Sequence, residues 1–262
     1  MPLTAKVTEK MQNNFETFSV LGVPITVTNL DEAAKTIASW KNDRRGRAVG
    51  VRDVASTMLI HADPALLAVS QRTVMNVPDG MPLVWIGKHR GFAVERTCGP
   101  DLMEKIMLDS TTSGLKHFFY GGKEGVANKL ANHFRNRKPG IEIVGTYYPP
   151  FRALTAEEDA NIVEMINTSG ADIVWVGISS PKQDIWMDEH LSKISCTMIG
   201  VGAAFDFHLG SVQRAPVWMQ RNGLEWLHRL YSEPRRLWHR YLVLAPKFVW
   251  KVFRDHKHFK DK

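Results

Sequence analysis

The chain has 262 residues, 44% hydrophobic and 23% charged, enough apolar material for a sizeable core and a balance that excludes wholesale disorder. Its two cysteines, Cys98 and Cys196, exclude a disulfide framework and fit a reducing compartment. The net charge of +7 is unevenly placed: twelve of the 34 basic and four of the 27 acidic residues follow Val212, a local balance of +8 against −1 for the rest.

The opening "MPLTAKVTEKMQNN" has no apolar core of the kind a secretory signal carries. No later run reaches the roughly 18 apolar residues that span a bilayer. The expected placement is the cytoplasm or the surface of a membrane. "FSVLGVPITVTN" predicts a β-hairpin turning at Gly22, and "NLDEAAKTIASWKND" a helix capped by Asn29 or Asp31. Beyond it, short apolar runs ("RAVGV", "KHFFYGG", "IEIVGTYY", "ADIVWVGIS", "CTMIGVGAAF") alternate with amphipathic stretches ("PDLMEKIMLDS", "EGVANKLANHFRNR", "TAEEDANIVEMINTS", "PKQDIWMDEHLSKI"). Strands apolar throughout, separated by helices, predict a mainly parallel α/β sheet of Rossmann-like type covered on both faces. Composition shifts sharply near Ser211. Residues 1–212 are read as the α/β domain and 213–262 as a basic tail that also holds Trp218, Trp226, Trp238 and Trp250. Basic residues interleaved with aromatics suit an anionic partner, a lipid surface or a nucleic acid; a solvated helical face over an aromatic stripe is the plainer alternative.

In such sheets ligands bind beyond the carboxyl ends of the strands, so the residues there carry the functional reading. They include Asp53, Asp79, Gly121, Gly122, Tyr147, Ser180, Lys182, Gln183 and Asp206. In "NVPDGMP", Asp79 has the position of an N-cap, or of a carboxylate held at the rim of the sheet. "YGGKEGVANKL" is a glycine turn entering a helix, able to approach a phosphate or serving only as a turn. It lacks the G-x-G-x-x-G spacing of a dinucleotide site. Lys182 and Gln183, after Ser180 and Pro181, are placed to fold back over the strand edge. They suit a uracil, ribose or phosphate, and equally plain solvation. Asp206, among apolar neighbours, calls for a site or for an ion pair with an arginine such as Arg214. No D-x-D pattern follows a strand and no His/Cys/Asp cluster has ligand spacing, so neither a metal nor a cofactor is expected.

The segments "VPDGMPLVW", "ERTCGPDLM", "YGGKEGVANKL", "IVGTYYPPF", "VGISSPKQDIW", "IGVGAAFDFHLGSVQRAPVWMQRNGLEWLHRL" and "EPRRLWHRYL", in that order, resemble the WecG/TagA/CpsF family of bacterial glycosyltransferases over nearly the whole chain. The resemblance implies inverting, metal-independent transfer of a hexose or N-acetylhexosamine-type sugar from a UDP-sugar to a polyprenyl-diphosphate-linked saccharide, in cell-surface polysaccharide synthesis. It implies peripheral attachment to the inner face of the cell membrane through a helical appendage that also completes the site, and no nucleic-acid partner. Relatives form oligomers, and an apolar strip in the tail could serve that contact. Carried over to this sequence, Asp79 is the general base and Arg96 a ligand of the donor or acceptor phosphates. Gln183 and Asp206 fall at nucleotide-sugar positions, and Arg229 and Arg236 approach the diphosphate. Val51 and Asp53 depart from the family's Thr-x-Asn, which makes Asp53 a rival to Asp79 as the acid and leaves a non-catalytic sugar- or lipid-binding relative as the alternative reading.

Overall fold

The computed structural model describes residues 15–260 and, within them, every side chain except those of 217, 221, 236 and 255–260. Strands β1 (Thr17–Val20) and β2 (Val23–Thr26) pair antiparallel as a separate two-stranded sheet. Their turn residues, Leu21 and Gly22, both have positive φ, 53° and 85°, as a two-residue turn matched to the twist of a hairpin requires. Helix α1 (Leu30–Ser39) follows, with the Asn29 side chain accepting from the Glu32 amide.

The main sheet consists of β3 (Arg47–Arg52), β4 (Met75–Pro78), β5 (Lys116–Gly121), β6 (Glu142–Tyr147), β7 (Ile173–Gly177) and β8 (Thr197–Gly200). All pairings are parallel, in the order β4-β3-β8-β7-β5-β6. Side chains alternate between two buried faces, as the pleat demands. Val49, Phe119, Ile173, Trp175 and Ile199 pack with α1, α5 (Gly99–Ser113), α6 (Val126–Arg137) and α9 (Ala204–His208). Ala48, Phe118, Tyr120, Val174, Val176 and Met198 pack with α7 (Ala156–Thr168) and α8 (Lys182–Glu189). Both faces are covered, which is why the strands read as continuous apolar runs. A third cluster joins the hairpin to α2 (Val54–Ala62), α3 (Pro64–Arg72) and α4 (Met81–His89).

Residues after Val212 form α10 (Val217–Arg221), α11 (Glu225–Ser232), α12 (Pro234–Trp238), a π-helical turn (His239–Leu244) and α13 (Ala245–Lys260). The π-helical turn and α13 pack on α2, and Phe248 is buried in the hairpin cluster. Gly223 lies so close to Trp85 of α4 that a Cβ there would come within 3.0 Å of its ring. The tail is thereby laid across the carboxyl edge of β3 and β4.

At that edge the last residue of β3, Arg52, is fully buried. Its Nε donates to Asn76 Oδ1 at 2.7 Å and its Nη1 to Asp184 Oδ1 at 2.5 Å. Asp184 Oδ2 accepts from Ser180 Oγ at 2.7 Å. Removing one partner of a buried ion pair strands the other charge at a cost of about 3–5 kcal/mol. Asp184→Asn is therefore expected to lower unfolding stability in urea by about 3 kcal/mol, and a loss below about 1 kcal/mol would show that the pair is dispensable.

Candidate functional site

Beyond β3 and β4 the chain builds a half-open cavity of about 230 Å³ between the α/β core and the tail. Its wall carries Asp53, Asp79 and Arg96 from the core and Arg214, Glu225, Arg229 and Arg240 from the tail. Each is placed by a local feature of the sequence.

Asp79 follows β4, and its amide donates to the Arg52 carbonyl at 2.7 Å. It does not cap α4, contrary to what "PDG" predicts. Gly80 is the N-cap and no side chain caps this helix. The reason is Pro82 in the second helical position: it has no N–H to receive a cap, and the Leu83 amide is taken by the Gly80 carbonyl at 3.0 Å. The carboxylate is instead free to face the cavity. Arg96, in the segment leading to α5, clasps Asp79 twice, Nε to its carbonyl oxygen at 2.7 Å and Nη2 to Oδ1 at 3.2 Å. The same Nη2 donates to Glu225 Oε2 at 2.7 Å. Asp79 Oδ2 has no hydrogen-bond donor among the described residues.

The Asp79 side chain keeps 28% of its surface, but that surface faces the cavity between core and tail. Burial therefore pushes its pKa above the ordinary carboxylate value; Arg96 opposes the rise, while Glu225 and Asp101 add to it. Arg96 stays charged, because Asp79 and Glu225 outweigh the effect of its burial. Cys98, also in the wall, has its thiol pushed well up by burial and then by Asp79. It is a neutral, unreactive neighbour.

Asp53 has the capping role that Asp79 lacks. Its Oδ1 accepts from the Ser56 amide at 2.8 Å, and Ser56 Oγ accepts from the Asp53 amide at 2.9 Å, a reciprocal cap of α2. Its Oδ2 is ion-paired with Arg240 of the π-helical turn. Both oxygens are thus engaged.

Arg214 does not pair with Asp206. Its Nη1 donates to Asp101 Oδ1 at 2.5 Å and its Nη2 to Gln220 Oε1 at 2.9 Å. Asp206 is half-buried on the short helix α9; its backbone carbonyl accepts from the Val212 amide, and its carboxylate has no partner among the described residues. The expectation of an Asp206–Arg214 pair fails because α5 presents Asp101 closer to the arginine. Arg229 stacks its guanidinium over Phe207, 5.1 Å from the ring centre. Its side chain is 13% exposed, and its Nε has no hydrogen-bond partner among the described residues. The side chain of Arg236 lies outside those described.

The other residues singled out in the sequence are not in this cavity. Gly121, Gly122, Tyr147, Ser180, Lys182 and Gln183 lie along the carboxyl ends of β5, β6 and β7. Gly121 (φ 130°) is required by packing: a Cβ there would meet the Gly177 backbone at 2.6 Å. Tyr147 stacks on Tyr120 at 6.0 Å. Gln183 does fold back over the strand ends, accepting from the Gly202 amide at 3.0 Å, whereas Lys182 points to solvent. Glu225, Arg240 and Asp101 are the residues missed. All three stood in quoted motifs, "GLEWLHRL", "WHRYL" and "ERTCGPDLM", but their partners Arg96, Asp53 and Arg214 are more than a hundred residues away.

Among the described residues no three His, Cys, Asp or Glu side chains are grouped to hold a metal ion, and no helix is long and apolar enough to cross a membrane. The cavity instead offers a half-buried carboxylate of raised pKa with a free oxygen, ringed by arginines at the carboxyl edge of a parallel sheet. That composition suits acid–base chemistry on a phosphorylated ligand. The Glycosyl transferase WecG/TagA/CpsF family model matches residues 18–262, so nearly the whole chain, core and tail together, belongs to that glycosyltransferase family.

Proposed function

We propose that the chain transfers a hexose or N-acetylhexosamine-type sugar from a UDP-sugar to a polyprenyl-diphosphate-linked saccharide, with inversion, in cell-surface polysaccharide synthesis. The observation that carries this reading is Asp79, whose carboxylate faces the arginine-lined cavity with one oxygen free. In the reaction Asp79 takes the proton of the acceptor hydroxyl as that oxygen attacks the anomeric carbon. The bond from the anomeric carbon to the β-phosphate oxygen breaks on the opposite face, and UDP leaves with the electron pair. Charge growing on UDP is met by guanidinium groups rather than by a metal: Arg96, Arg214 and Arg229 line the cavity, and their forked donors suit a diphosphate.

Asp53 is the weaker candidate for the base, since its two oxygens hold the α2 cap and Arg240. The nucleotide is assigned to the strip at the ends of β5 to β8, where Gly121, Gly122, Tyr147, Ser180, Lys182, Gln183 and Asp206 lie. Residues 1–212 act as the catalytic domain in this reading. The tail, 213–262 with Arg236, completes the site and rests on the inner face of the cell membrane. In its support, Trp218, Tyr231, Trp238, Trp250 and Phe253 are exposed on the tail amid the excess positive charge, a combination that favours an anionic lipid surface.

Two outcomes test this reading. Asp79→Asn should lower kcat/KM for transfer, followed by mass spectrometry of the lipid-linked product, by about 10²–10⁴-fold. Because the native state raises the Asp79 pKa, the neutral acid is the form that folding favours, and ionisation above the unfolded value costs stability. The neutral Asn should then leave Tm at pH 7 unchanged or higher. Full activity with UDP released at the wild-type rate would remove Asp79 from the role of base. Replacing Trp250 and Phe253 together by Ser should weaken sedimentation with anionic phospholipid vesicles about tenfold or more with little change in Tm. Unaltered sedimentation would remove the tail from the membrane.

A further inference from the structure

Arg96 Nη2 serves two carboxylates that come from opposite ends of the chain. Its contact with Glu225 Oε2 is 2.7 Å and its contact with Asp79 Oδ1 is 3.2 Å. We propose that Glu225 is a positioning residue that draws the Arg96 guanidinium away from the Asp79 carboxylate, so that docking of α11 converts an ion-paired aspartate into a working base. This rests on the reading of Asp79 as the base.

The geometry supports it in three ways. First, both carboxylate oxygens bond the same nitrogen at 3.2 and 2.7 Å, so they lie within about 6 Å of each other, close enough for each to disfavour the other's charge. Secondly, Glu225 is the first residue of α11, where the unpaired amides of a helix start favour a carboxylate. Thirdly, among the described residues the other arginines lining the cavity have contacts of their own away from Asp79. Arg214 is held by Asp101 and Gln220, Arg240 by Asp53, and Arg229 lies over Phe207 and near Glu233. Cys98 and Asp101, at the start of α5, complete the titratable surroundings, with Cys98 Sγ donating to Asp101 Oδ2 at 2.8 Å.

Without Glu225, the guanidinium would be left to Asp79 alone. An aspartate in an undivided arginine pair is a weak base, held ionised well below its ordinary pKa. Glu225 therefore acts on the proton acceptor through Arg96, without touching the substrate. It also makes basicity conditional on the tail being in place: the core alone contains Asp79 and Arg96 but not the acid that separates them.

The test is kcat/KM for sugar transfer against pH for the full chain, with wild type, Glu225→Gln, Glu225→Asp and Asp79→Asn compared. Glu225→Gln should move the acidic limb of the profile down by about 0.5–1 pH and lower plateau kcat about 3–10-fold. Glu225→Asp should restore most of the limb, because it returns the charge. A limb that stays at the wild-type pH in Glu225→Gln, with only KM or Tm altered, reduces Glu225 to a structural latch and overturns the inference. Asp79→Asn separates the two levels. If it abolishes the limb while Glu225→Gln leaves the limb in place, this inference alone fails. If the limb survives in Asp79→Asn, the assignment of the base fails and this inference with it.

Discussion

A single guanidinium, that of Arg96, holds together the parts on which chemistry depends. It binds the Asp79 backbone and carboxylate from the core and the Glu225 carboxylate from the tail. An arginine suits this place because its fork offers several donors in fixed directions and does not lose its charge. Two negative groups would otherwise repel one another in a space that burial has made poor in solvent. With Arg96 between them they can be close, and the cavity can present a carboxylate that is neither neutralised outright nor fully ion-paired.

The rest of the carboxyl edge is tied to this point through Arg52. Its carbonyl oxygen accepts from the amide of Asp79, and its buried guanidinium holds Asp184, which holds Ser180. Gln183, one residue earlier on α8, reaches the Gly202 amide beyond β8. The end of β4, where the proposed base Asp79 lies, and the ends of β7 and β8, part of the strip proposed for the nucleotide, thus share one polar network. A shift in either half would strain hydrogen bonds in the other, and buried networks resist such partial disruption because each unpaired member is costly.

Much of the fold was legible because the physical signals were local. Five of the six core strands announced themselves as apolar runs, since both faces of the sheet are covered, and the hairpin turn at Leu21-Gly22 follows from the need for positive φ. Asp79 and Arg96 were visible as motif residues, and they do meet. What could not be read was the pairing of core with tail. Arg240 finds Asp53 and Glu225 finds Arg96 only after α10 to α13 have packed back over the sheet edge, and no periodicity encodes that return. The exchange of capping roles was partly readable: Pro82 denies α4 an amide that a cap would fill, while "DVAS" supplies both halves of a reciprocal cap at Asp53 and Ser56. The Asp206–Arg214 expectation failed for a different reason. Asp101 lies three residues beyond Cys98 on the first turn of α5, and only the packing of that helix reveals that it reaches the arginine first.

In the proposed reaction, a carboxylate with a free oxygen, set among arginines and facing a space walled by core and tail, serves one direct displacement, in which the acceptor oxygen arrives from the side opposite the leaving diphosphate. The anomeric configuration of the product tests this most directly. Transfer from an α-linked UDP-sugar to a synthetic polyprenyl-diphosphate saccharide, with the new linkage read from its proton couplings by NMR, should give the β-anomer alone. A product that keeps the α-configuration would exclude a single displacement from the opposite face, and would contradict the assignment of Asp79 as the base of an inverting transfer.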